Sequence, residues 1–145
     1  MPRIMLVEDN PGTCRAAAEV LQRAHYQVET CLETDTAFAR ACQEWPDLVI
    51  LDVPVHQLRA GYAALDRLKQ QEETQATPIL LAVPTLGVLG PDWQTFAERG
   101  VHVLPQPLGP AELIQGVEDV LGPPPPSQNS RAARTAAVRE GGGHP

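Results

Sequence analysis

Ile4-Met5-Leu6-Val7-Glu8-Asp9-Asn10 and, farther along, Pro46-Asp47-Leu48-Val49-Ile50-Leu51-Asp52 are the two stretches that decide the fold. In each, a four-residue aliphatic run stops at carboxylates. Runs of this length, without polar alternation, suit strands covered on both faces. Laid side by side and parallel, they bring Glu8, Asp9 and Asp52 to one edge of a sheet. Carboxylates crowded in this way repel one another, and a divalent, oxygen-seeking metal is the usual remedy.

Outward from these runs, strand-like and helix-like segments alternate. Asn10-Pro11 supplies a cap and a first-position proline for a helix with Cys14, Ala18 and Leu21 on one face. Gln27 to Cys31 reads as a second strand. Thr34 to Glu44 reads as a helix packing through Phe38 and Ala41, ended by Trp45-Pro46-Asp47. Leu48 to Leu51 is the third strand. Gly61 is expected to open a helix with Leu65 and Leu68 on one side, and Ile79 to Val83 forms a fourth strand. Pro91-Asp92 begins a short helix through Trp93 and Phe96 to Gly100. Val101 to Leu104 is the fifth strand, and Leu113, Val117 and Leu121 mark a last helix from Pro110 to Leu121. Five rounds of strand then helix imply one parallel sheet wrapped on both faces. Ligands of such sheets sit at the carboxyl ends of the strands, where all three acids fall.

The 145 residues are one domain's worth, and with 43% hydrophobic but only 4% aromatic residues the core must be aliphatic. A net charge of -7 argues against a non-specific nucleic-acid binder. Cys14, Cys31 and Cys42 are odd in number and lack a C-x-x-C pair, which excludes a disulfide framework or zinc site and suits a reducing cytoplasm. The chain starts on a strand-like run, so no signal peptide is expected, and no apolar stretch is long enough to span a membrane. Gly122 and the run Pro123 to Pro126 stop the fold. The domain is therefore placed at 1–122. Residues 123–145 read as a Pro-rich linker and a disordered, mildly basic tail with Arg131, Arg134 and Arg139.

The order IMLVEDN, PDLVILD, PILLAV, GVHVLPQP, ELIQGVEDVL resembles the receiver domain of bacterial response regulators over about residues 3 to 121. The resemblance implies a flavodoxin-like (βα)5 fold, a bound Mg2+ and phosphoryl transfer from a histidine kinase or phosphotransfer protein to an aspartate. Matched by position, Asp52 is the phospho-acceptor and Asp9 a magnesium ligand. Glu8 acts beside Asp9, directly or through water, and the carbonyl of Pro54 completes the protein's share of the metal shell. Such a protein is a signalling component of the phosphorelay rather than an enzyme. The chemistry is coherent: a carboxylate attacks phosphorus while metal charge is balanced against the equatorial oxygens.

Three positions depart from the family's pattern. The lysine expected before a proline after the fifth strand is Gln106, and the chain's one lysine, Lys69, sits in the helix after the third strand. The serine or threonine expected at the end of the fourth strand is Val83. The aromatic switch residue expected on the fifth strand is Val103. The loop after Asp52 is also irregular, with Pro54 displaced early and Gly61 one residue late. An uncharged amide, an aliphatic and another aliphatic thus replace the cation, the hydroxyl and the aromatic of the relay.

Two functions compete. One is a stand-alone receiver phosphorylated on Asp52. The other is a degenerate receiver that acts as a phosphorylation-independent interaction module. A dehalogenase-type phosphatase would need a second aspartate at Pro54, and a nucleotide-binding loop would need glycines that Asn10-Pro11-Gly12 does not supply. With no DNA-binding domain expected after the receiver, output goes through contact with a downstream protein partner, and a homodimer stays open.

Overall fold

A computed structural model of the chain describes residues 1–53, 58–84 and 98–122. Its elements are β1 (Arg3–Val7), α1 (Pro11–Arg23), β2 (Gln27–Cys31), α2 (Thr34–Glu44), β3 (Leu48–Asp52), α3 (Leu58–Gln70), β4 (Ile79–Val83), β5 (Val101–Pro105) and α4 (Pro110–Leu121). The five strands form one parallel sheet in the order β2-β1-β3-β4-β5. This is the doubly wound, flavodoxin-like arrangement expected from the sequence. Both aliphatic runs lie in the interior of the sheet, with β1 and β3 adjacent.

Side chains alternate across the sheet, and the two faces have separate cores. Met5, Val7, Val49, Leu51, Leu81 and Val83 pack on one face with Ala37 and Ala41 of α2 and Leu65 and Leu68 of α3. Ile4, Leu6, Leu48, Ile50 and Leu80 pack on the other with Cys14, Ala18 and Leu21 of α1 and Leu113 and Val117 of α4. Continuous burial on both faces is why these strands carry no polar alternation. The Phe38 side chain lies outside the described residues.

Two boundaries differ in an informative way. β3 extends through Asp52 and β5 through Pro105, so the acidic and proline ends belong to the strands rather than the loops. Pro105 is tolerated because β5 is an edge strand and the residue is its last. Gly61 does not open its helix: α3 starts at Leu58, and Leu58-Arg59-Ala60 are good helix formers. The glycine serves close approach instead. A Cβ at Gly61 would stand 2.7 Å from both methyls of Val53, the residue after Asp52.

Helix α1 begins as expected, with Pro11 in its first turn and the Asn10 side chain accepting from Thr13 N–H at 3.0 Å. Trp45 ends α2 in the left-handed conformation. Gly100 has φ +80°, which suits a residue that follows a helix. The helix expected from Pro91 to Gly100, with Trp93 and Phe96, lies outside the described residues apart from its last positions. The tail expected after Gly122 lies outside them as well.

Candidate functional site

The register decides what meets at the sheet edge. Val7 is paired with Leu51, so Glu8 follows directly beside Asp52. Asp52 is paired with Ala82, and Val83 with Pro105, so Gln106 follows one step beyond. Parity does the rest. Leu6 and Glu8, Ile50 and Asp52, and Leu104 and Gln106 share a face, the one covered by α1 and α4. Glu8, Asp9, Asp52 and Gln106 accordingly line one cavity of about 570 Å3, together with Asn10 and Thr13. Leu6, Pro11, Ala17, Ile50, Pro107, Leu108 and Leu113 form its apolar walls.

Glu8 is only 7% exposed. Its Oε1 accepts Asn10 N–H at 3.0 Å, which ties the acid to the start of α1. Burial first, and then the hydrogen bond and charge of Asp52, push the Glu8 carboxyl up to about 9, against the lowering influence of Asn10 N–H. Without a cation Glu8 therefore keeps its proton at neutral pH. The electrostatic crowding inferred from the two runs is real, and Glu8 is the residue that yields to it.

Gln106 faces Asp52 from β5. Its Nε2 donates to Asp52 Oδ1 and lies 3.3 Å from the carbonyl oxygens of Val53 and Ala82. Its backbone N–H donates to Val83 O at 2.7 Å, and the Gln106-Pro107 peptide is cis. Lys69 cannot substitute for a missing cation. Its Nζ donates to Thr77 O at 2.8 Å and Gln75 O at 3.2 Å, ahead of β4 and at the far end of the sheet from Asp52. Burial, and then the nearby Arg99, lower its proton affinity.

Val83 is fully buried, and it packs with Met5, Val7 and Leu81 on the face opposite Asp52. Val103 is half-buried against the same cluster. Neither side chain reaches the cavity. The Pro54 carbonyl lies outside the described residues. Sequence reasoning missed Thr13, Ala17 and Leu108 as cavity walls. The period of two along β5 would have pointed from Gln106 back to Leu104. No local signal marks Leu108, which reaches the cavity because the chain turns at Pro107 into α4.

The donor chemistry suits a hard divalent cation, since Glu8, Asp9 and Asp52, which line the same cavity, carry carboxylate oxygens. Among the described residues, no group of three or more His, Cys, Asp and Glu side chains is arranged to hold a metal ion. Glu8 is turned to Asp52 and would have to give up its proton first.

The chain has counterparts among known proteins. Residues 4–117 match the model of the response regulator receiver domain. The chain belongs to this family. Receiver domains are signalling modules of two-component systems, and the fold, the acidic sheet edge and the extent of the match all agree with that assignment. The receiver is 28% identical over 121 residues to the DNA-binding dual master transcriptional regulator RpaA of Synechocystis, covering 83% of this chain and 49% of RpaA. It thus spans about half the length of that relative. Among solved structures, the chemotaxis response regulator CheY4 of Vibrio cholerae superposes with a TM-score of 0.71 at 26% identity, covering 83% of this chain and 99% of that one. The receiver domain of the sensor histidine kinase PA1611 from Pseudomonas aeruginosa superposes with a TM-score of 0.68 at 25% identity, over 83% of this chain and 98% of its own. That structure has a magnesium ion coordinated in its active-site cleft.

Proposed function

We propose that this receiver takes a phosphoryl group on Asp52 from a histidine kinase or phosphotransfer protein and passes the signal on by protein contact. The placement of Asp52 carries the proposal. It ends a central strand, lines the cavity, and stands beside a carboxyl that burial holds protonated. In the reaction an Asp52 carboxylate oxygen forms a bond to phosphorus. The bond from phosphorus to the donor's imidazole nitrogen breaks, and its electron pair stays on that nitrogen, which takes up a proton. Glu8, Asp9, Asp52 and the Pro54 carbonyl would hold Mg2+, which when bound balances the charge of the phosphoryl oxygens. Glu8 must release its proton for that, and Asn10 N–H then holds the freed carboxylate in place.

Residues 1–122 are proposed as the receiver unit and 123–145 as linker and tail. Cys14, Cys31 and Cys42 are free thiols, which suits a cytoplasmic setting. No helix among the described residues is long and apolar enough to cross a membrane.

The second proposal is a phosphorylation-independent interaction module. It is favoured by Gln106, a neutral amide beside Asp52. Intact-mass measurement after incubation with Mg2+ and phosphoramidate separates the two. An added phosphate that disappears in Asp52→Ala supports the first. No added phosphate in wild type, or the same added phosphate in wild type and Asp52→Ala, refutes it and leaves the second.

A further inference from the structure

We propose that Gln106 is a latch on the nucleophile: its amide occupies Asp52 Oδ1 and holds the acceptor in an unreactive resting state. This rests on Asp52 being the phospho-acceptor. It goes further than the loss of a cation, because it assigns the amide an inhibitory role that an empty position would lack.

Two observations support it. The Gln106 Nε2 has three acceptors around it, Asp52 Oδ1 and the carbonyls of Val53 and Ala82. An amide nitrogen has two hydrogens, and with only acceptors nearby the amide orientation is settled. The same residue is anchored through its backbone N–H to Val83 O. Its side-chain amide is therefore gathered over the ends of β3 and β4, with Asp52 Oδ1 among its acceptors.

The consequence follows from what a hydrogen bond to a carboxylate does. It stabilises the negative oxygen in the ground state. As Asp52 attacks, that charge flows onto the phosphoryl group, and the stabilisation weakens. A contact stronger in the ground state than in the transition state slows the step. A cation would recover the difference by following the charge onto the phosphoryl oxygens. A neutral amide tied to two backbone carbonyls does so poorly.

The test uses the full chain in two arms. In the first, phosphorylation by phosphoramidate with Mg2+ is followed by intact mass in wild type, Gln106→Leu and Gln106→Asn. Leucine keeps the side-chain bulk without a donor, and asparagine keeps the amide one methylene short of reach. Both are expected to react faster, by roughly twofold to tenfold, because only the part of this charge-assisted hydrogen bond that weakens as charge leaves Asp52 is recovered. Slower reaction in both variants overturns the latch, since the amide would then be assisting transfer. The second arm needs no phosphorylation. The Gln106 side-chain amide is followed by 1H–15N spectroscopy in wild type and Asp52→Ala. Removal of Asp52 should shift its resonances and speed their exchange with solvent. Unchanged resonances overturn the latch whatever the first arm shows. If that contact is confirmed while no variant accepts phosphate, the assignment of Asp52 as acceptor fails, and the regulatory role fails with it.

Discussion

Replacing Glu8 with glutamine should stabilise the metal-free protein at neutral pH and leave it unchanged in acid. The folded state holds the Glu8 proton up to about 9, whereas the ordinary value is 4.5. Folding therefore takes up a proton between these limits. The associated stability is fully present below about 4.5 and is lost progressively as pH rises toward 9. Each pH unit in this window is worth about 1.4 kcal/mol, so over the roughly 2.5 units from 4.5 to pH 7 the wild type should have lost about 3 kcal/mol relative to Glu8→Gln. The figure at pH 7 depends chiefly on the lower limit, because the upper one lies well above it. Glutamine keeps the length and the acceptor for Asn10 N–H, so the cap on α1 survives. Urea unfolding of both proteins in EDTA, at intervals from pH 4 to pH 8, reads the difference directly. The curves should coincide near pH 4 and diverge steadily above pH 5. Parallel curves at all pH values would show that Glu8 ionises freely in the fold and would refute the crowded-carboxylate account. Added Mg2+ at pH 7 should recover stability in wild type and much less in Glu8→Gln.

Gln106→Lys should speed phosphorylation by about fivefold to tenfold, because the ammonium follows the developing charge onto the phosphoryl oxygens, as measured by the initial rate of mass gain. Val83→Thr should bring no gain in that rate, because the side chain faces the apolar core opposite Asp52, and it should cost about 1–3 kcal/mol in urea unfolding through a buried hydroxyl. Gly61→Ala should lower stability by about 1–3 kcal/mol, because its Cβ would stand 2.7 Å from the Val53 methyls. Because Val53 follows Asp52, the same variant should also reduce magnesium-dependent phosphorylation, and wild-type rates in a destabilised but folded Gly61→Ala would count against that link.

Most strand and helix spans could be read from the chain because the patterns that carry them are strong. β2, α2, β4 and α4 match their expected limits to the residue. Continuous aliphatic runs have no other soluble home than a sheet covered on both sides. The start of α3 was misplaced because Gly61 carries two possible meanings. Glycine can begin a helix or allow close approach, and only the position of Val53 distinguishes them. The departures at Val83 and Gln106 were visible as residue types, but their consequences were not. Val83 lies on the far face, while Gln106 reaches across two strands to Asp52.

The acids at the ends of the first and third strands, and the absence of a lysine beside them, are properties of the chain written in order. They identify a parallel sheet with carboxylates at one edge and a receiver whose relay lacks its cation. How those acids behave is a property of neighbours. The pairing of Val7 with Leu51 sets Glu8 against Asp52, burial then keeps the Glu8 proton on, and the end of β5 brings the Gln106 amide from 54 residues away onto Asp52. Proton affinity and hydrogen-bond occupancy depend on distances and local dielectric, which chain order does not contain. The carboxylates that reveal the family are thus held, in the folded protein, in a resting arrangement that the order of residues does not display.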